Sequence, residues 1–197
     1  KDRAMVKDSI VNCDETWCKV KMNRHFLKKY VWCLVNKEQK IVIYCYEDGS
    51  RGRKVLKEIL KDRQVKALQS DGYNVYMYID KELVDTEHLC CLAHARAKFV
   101  YAYEQGDDPD AKYLIDCFGE LYRLEDTYKL SGLSAQEITS CRHSLRTKEI
   151  IGRIRSKLDV LLSPTHPPRG ELMDKAVNYL QVFWKQLFAY LNDGRYD

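Results

Sequence analysis

The 197-residue sequence has no apolar run approaching the length that crosses a bilayer, which takes roughly 18–20 residues. It has no N-terminal signal-peptide pattern, no internal repeat and no low-complexity stretch. These absences exclude a helical membrane protein and a repeat array, and predict no membrane partner. A zinc-ligand set is also missing. His94 follows Cys90 and Cys91, but no second Cys/His pair stands at suitable spacing. The eight cysteines do not read as a disulfide scaffold, because Cys13, Cys33, Cys45 and Cys117 lie inside apolar patterns where a free thiol acts as a small hydrophobe. A reduced, cytoplasmic protein is expected.

What is present is the composition of a folded domain, 45% hydrophobic and 31% charged, long enough for one good core and a helical appendage. The net charge of +4 raises the expectation of a nucleic-acid partner only a little. Ser9–Asp14, Tyr30–Val35 and Ile41–Tyr46 have strand character, and the short polar link Asn36–Gln39 predicts a hairpin between the last two. Asp48-Gly49-Ser50 breaks the pattern, after which Val55, Leu56, Ile59 and Leu60 recur at helical spacing. Val65–Gln69 and Glu87–Leu92 are two further strands with a short helix between them, and a helix carrying His94 follows. The expected fold is therefore α/β, a mixed five-stranded sheet flanked by helices.

Beyond Gly106-Asp107-Asp108-Pro109 only helices are predicted. Leu114, Phe118, Leu121 and Leu124 share a face, Ser134 and Glu137 form a capping box, and Ile150, Ile154, Leu158 and Leu161 extend to a break at Pro164. Leu172, Ala176, Leu180, Phe183, Leu187 and Leu191 then predict one continuous helix ending at Asp193-Gly194. The expected division is a core over 1–106, a helical insertion over 107–165 and a returning C-terminal helix over 166–197.

Asp14 and Asp71 each follow a strand pattern, 57 positions apart. Carboxylates at neighbouring strand ends converge at a sheet edge, where a divalent cation offsets their repulsion. Each is also an ordinary turn former, Asp71-Gly72 above all. The surrounding residues say more. Asp14-Glu15-Thr16, Ser70-Asp71-Gly72-Tyr73, Cys91-Leu92-Ala93-His94-Ala95-Arg96-Ala97-Lys98-Phe99, Ala176-Val177-Asn178-Tyr179 and Tyr190-Leu191-Asn192-Asp193-Gly194-Arg195 occur in this order. Together they closely resemble transposases of the insertion-sequence-66 family, from about Asn12 to Arg195.

The resemblance implies an RNase H-like fold with an Asp-Asp-Glu active site, in which Asp14 and Asp71 are the catalytic, metal-binding aspartates. It implies Mg²⁺, with Mn²⁺ able to substitute, as a pair of ions roughly 4 Å apart acting on a phosphodiester. DNA strand cleavage and strand transfer follow as the expected activity of the full-length protein. The implied partners are transposon ends and target DNA, with a homodimer or higher synaptic complex. The family's Glu lies in an Asn-Asn-x-x-Glu-Arg motif that falls beyond Asp197, so this stretch alone is expected to be inactive. Glu120, Glu125 and Glu171 do not occupy that motif.

His94 and Arg96, with Cys91, fall in a motif placed beside the active site by the resemblance. With Lys98 they are candidates for DNA contact, as are Arg51 and Arg53 in a basic cluster with Lys54 and Lys57. A longer basic run spans Arg142 to Lys157, and Trp17 and Tyr73 offer aromatic faces for bases or for apolar packing. The alternatives are an RNase H-like nuclease or resolvase, or a non-catalytic DNA-binding or dimerisation module.

Overall fold

A computed structural model describes residues 3–61, 63–72, 75–76 and 85–196. The chain forms two compact units, Lys1–Cys90 and Cys91–Asp197. The first contains β1 (Ile10–Met22), β2 (His25–Asn36), β3 (Ile41–Cys45), α1 (Arg53–Leu60), β4 (Ala67–Ser70) and β5 (Glu87–Cys90). The strands form one sheet in the order β3-β2-β1-β4-β5. β1 and β3 run antiparallel to β2, while β4 lies parallel to both β1 and β5. The mixed five-stranded α/β sheet expected from the sequence is thus the observed one. The short helix expected between β4 and β5 falls on a stretch most of which, Tyr73 included, lies outside the described residues.

One face of this sheet carries the core. Val11 and Cys13 of β1, Trp32 and Leu34 of β2, Cys45 of β3 and Leu68 of β4 are all buried and cluster with Val55, Leu56, Ile59 and Leu60 of α1. The helix forms because those four apolar residues share one stripe while Lys54, Lys57 and Glu58 lie on the exposed side. Burying each of Leu56, Ile59 and Leu60 contributes roughly 1.5–3 kcal/mol. The polar atoms that burial traps are satisfied: Trp32 Nε1 donates to the Ser50 carbonyl at 3.0 Å, and Asn36 Nδ2 to the Ala4 carbonyl at 2.8 Å. Asp48 and Gly49, with φ of 53° and 67°, make the expected break after β3.

Two sequence expectations are corrected. The first strand does not end at Asp14 but continues to Met22, turns through Asn23 (φ 55°) and returns as the long β2. Thr16–Lys19, Lys21 and Met22 are exposed, and the alternation of Cys18-Lys19-Val20-Lys21-Met22 is the strand signal that the Ser9–Asp14 assignment left out. The expected continuous final helix is also broken. In the second unit, α2 (Leu92–Gly106), α3 (Pro109–Leu130), α4 (Ala135–Arg142), α5 (Leu145–Leu162) and α6 (Glu171–Val182) are followed by a break at Phe183, a short α7 (Trp184–Phe188) and a 3₁₀ turn, Ala189–Asn192. Four consecutive buried residues, Leu187 to Tyr190, cannot lie on one helical stripe, and the chain bends to bury them.

The helical unit packs α2 against α3 and α6, and α3 against α5. Its core holds Phe99, Leu114, Phe118, Leu121, Ile150, Ile154, Leu158 and Leu180. Asp107 in the left-handed conformation ends α2, and the Asp108 side chain caps α3 by accepting from the backbone of Asp110 and Ala111, with Pro109 in the first turn. The Ser134–Glu137 capping box is present.

Candidate active site

The parallel pairing of β1 with β4 matches Ile10 with Ala67, Val11 with Leu68 and Asn12 with Gln69, a constant offset. Asp14 and Asp71 each lie two positions beyond the last pair. The ladder ends there, so the two strands lead to Asp14 and Asp71 side by side at the same offset. At its last rung Asn12 Nδ2 donates to Gln69 Oε1 at 2.7 Å and ties the two strands together. Asp14 is opposite Cys33 of β2 and exposed, and its Oδ1 accepts from the Glu15 backbone N–H at 2.8 Å. Asp71 is half-buried just after β4, and its carbonyl accepts from Ser70 Oγ at 2.8 Å. Ser70 Oγ is 3.0 Å from His88 Nε2 on β5, so with the hydroxyl proton used on Asp71, the ring nitrogen is the donor.

On the other face Glu15 is buried, a residue that the sequence reading passed over. Arg51 donates through Nε to its Oε1 at 2.6 Å, and the Tyr76 hydroxyl donates to Oε2 at 2.7 Å. Burial raises the Glu15 carboxyl above its usual range. Tyr76 and Arg51 draw it back down, and the charge of Asp71 adds to the rise. Burial also pushes the Tyr76 hydroxyl far up, so it stays a donor. Arg51, a candidate for DNA contact, is thereby committed to an internal ion pair, whereas Arg53 opens α1 at the exposed surface.

In the helical unit Cys91 occupies the N-cap of α2. Burial alone would raise its thiol, but hydrogen bonds from the His94 side chain and from the backbone of His94 and Ala93 outweigh that and lower it. Arg96 is half-buried, with Nε lacking a hydrogen-bond partner among the described residues, and Lys98 sits over the Tyr179 ring at 4.7 Å. Cys91, Tyr122, Glu125, Arg142 and Tyr190 line a cavity of about 390 Å³.

The long basic run is mostly paired with acids of the same helical unit, and of its cations only Arg142 is buried. Arg142 is buried, bidentate on Glu125 and bound to the carbonyls of Tyr190, Asp193 and Tyr196. Arg146 and Arg153 pair with Glu120, Arg155 with Asp159, and Lys157 with Asp110. Glu120 and Glu125 are therefore held by arginines, and Glu171 by Lys175. Trp17 is half exposed, so of its two sequence readings apolar packing in the core does not hold.

Among the described residues no group of three or more His, Cys, Asp or Glu side chains converges as an all-protein metal cage. Asp14 and Asp71 are hard oxygen donors of the kind that fits Mg²⁺, which keeps several waters and takes one or two carboxylates.

A mixed β3-β2-β1-β4-β5 sheet, antiparallel over β3-β2-β1 and parallel over β1-β4-β5, is the architecture of an RNase H-like domain. Residues 2–197 match the family described as Transposase IS66 family, and the chain belongs to it. It is similar to the uncharacterized protein y4jD of Sinorhizobium fredii (strain NBRC 101917 / NGR234), 26% identical over 156 residues that make up 77% of this chain and 29% of that protein. The chain thus spans less than a third of the length of the curated relative it matches. Among the described residues no helix is long and apolar enough to cross a membrane.

Proposed function

We propose that the chain is the metal-dependent catalytic core of a DNA transposase, with Asp14 and Asp71 as the carboxylates that hold Mg²⁺ or Mn²⁺. The observation that carries this reading is the β1/β4 register, whose constant offset equals the separation of the two aspartates. A bound cation supplies Lewis-acid polarisation of a phosphodiester and activation of an attacking oxygen at neutral pH. The chain's own residues prepare the place. The Glu15 N–H fixes the Asp14 rotamer, the Asn12–Gln69 bond fixes the distance between strands, and the Ser70–His88 pair anchors the point where Asp71 leaves β4. Arg53, His94, Arg96 and Lys98 are proposed contacts to DNA phosphates. For the whole protein the proposed activity is cleavage and strand transfer of transposon ends into target DNA within a dimeric or larger complex.

Titration calorimetry with Mg²⁺ and Mn²⁺ tests the metal site. Wild type binds, and Asp14→Asn and Asp71→Asn each lose the binding. Equal affinity in all three proteins would refute the site and favour a non-catalytic DNA-binding module.

A further inference from the structure

Beyond Asp14 the β1–β2 ribbon leaves the rest of the sheet. β4 pairs with β1 only as far as Asn12, and β3 pairs with β2 only from Trp32 onward, so among the described residues strands Thr16–Met22 and His25–Val31 form a ladder only with each other, with Tyr30 N–H donating besides to the Gly49 carbonyl at 3.0 Å. A two-stranded ribbon is marginal by itself, and this one is built against its own stability. The register sets Lys19 directly opposite Lys28, with Lys21 next on the same face, and like charges directly opposite destabilise a ladder. Aromatic residues interleave with them: Trp17 pairs with Tyr30 and Lys21 with Phe26. Lys28 Nζ lies 4.9 Å from the Trp17 ring and 5.4 Å from that of Tyr30. Trp17 is 52% and Phe26 66% exposed, and Lys19, Lys21 and Lys28 are exposed as well.

From Thr16 to Tyr30 there are five Lys and Arg and no Asp or Glu. That segment carries +5 in a chain of net +4, so everything else sums to −1. The positive potential of this molecule is the hairpin's.

We propose that this hairpin is a DNA-binding arm, with Lys19, Lys21 and Lys28 on backbone phosphates and Trp17, Tyr30 and Phe26 packed against sugars or bases. The dense, regularly spaced anionic partner that cancels a Lys–Lys cross-strand pair is a phosphate backbone. Aromatic rings alternating with cations on one face suit the nucleotides between those phosphates. The dimensions agree: the eight residue-to-residue steps of strand from Asp14 to Met22 extend about 26 Å, close to eight base pairs at about 3.4 Å each, and a two-stranded ribbon fits the major groove. The choice of DNA rests on the reading of the chain as a DNA-processing core, but the grip itself does not involve the carboxylates.

The test is fluorescence anisotropy of a labelled 30-base-pair DNA of arbitrary sequence, in EDTA, over a range of salt concentrations. Metal-site failure therefore cannot affect the result. Lys19→Gln/Lys21→Gln/Lys28→Gln should weaken binding tenfold or more and reduce the slope of log K against log salt by about 2–3, since each phosphate contact contributes about 0.9. The Arg triple at the same positions should retain both affinity and slope. Lys61→Gln/Lys112→Gln/Lys175→Gln removes the same charge from helical ion pairs and should leave the slope unchanged. The Gln hairpin variant should melt no lower than wild type, because its cross-strand repulsion is gone. Any one of three results overturns the proposal: no DNA binding by wild type, equal slopes in the two Gln triples, or lysine-dependent binding to phosphatidylserine vesicles with DNA affinity unchanged.

Discussion

Glu15 shows how one buried charge is held. Its carboxyl is raised by burial and drawn back by the Tyr76 hydroxyl and Arg51. A folded-state value above the unfolded one means that ionisation costs stability. The contribution is complete below the ordinary carboxylate range and is lost as pH rises through the raised value. Tyr76→Phe removes a hydrogen bond to the Glu15 carboxylate and should cost about 1.5–3 kcal/mol at pH above the raised Glu15 value. The cost should shrink near pH 4, as read from urea unfolding at both pH values. The same scale governs Cys91. Alkylation by iodoacetamide, followed by peptide mass spectrometry, should have a midpoint below the ordinary thiol value, and His94→Gln should move it upward because the largest opposing contribution to burial is lost. An unchanged midpoint would remove His94 from that role. Neither interaction was legible beforehand. Glu15 in a strand reads as solvent-facing, and its partners lie 36 and 61 positions away.

At the scale of elements, the Arg142 guanidinium closes the helical unit. It joins α3 through Glu125 to three carbonyls of the C-terminal turn, while Gly194 N donates to Thr139 Oγ1 on α4 at 2.8 Å. A Cβ on Gly194 would collide with the Ala135 carbonyl, so the turn requires glycine for close approach. Arg142→Leu leaves Glu125 and the carbonyls without their donor and should cost about 3–5 kcal/mol. Hydrogen exchange should show the amides of Gly194 and Tyr196 losing protection first. Gly194→Ala should expose the same turn, with α5 still protected. The sequence showed where these helices start and stop because caps and breakers are local: Asp108-Pro109, Ser134 with Glu137, and Pro164. It misassigned Arg142 to a solvent-facing basic run, because charge spacing carries no information about carbonyls 48 to 54 residues downstream. The far end of the β1–β2 hairpin was missed although Cys18-Lys19-Val20-Lys21-Met22 alternates as a strand does, because the polar Asp14-Glu15-Thr16 before it reads as a strand end.

For the whole molecule, the sheet topology lays the strands that lead to two distant aspartates side by side. The mixed sheet was legible because its core strands are β-branched and aromatic, and the convergence of Asp14 with Asp71 is the proposal that the β1/β4 offset supports. That convergence has a cost and a use that separate experimentally. Two carboxylates brought together repel when no cation lies between them, so Asp14→Asn and Asp71→Asn should each raise the melting temperature in EDTA. Added Mg²⁺ or Mn²⁺ reverses the order. A ligand that binds only the folded state stabilises by about 2.7 kcal/mol at a hundredfold excess over Kd, which in a chain of this length is a rise of roughly 5–10 °C. Wild type should gain that rise and the Asn variants should not. The crossing of the two curves distinguishes a metal site from aspartates that only shape a turn: turn-forming aspartates would lose stability as Asn or stay level, with and without metal alike.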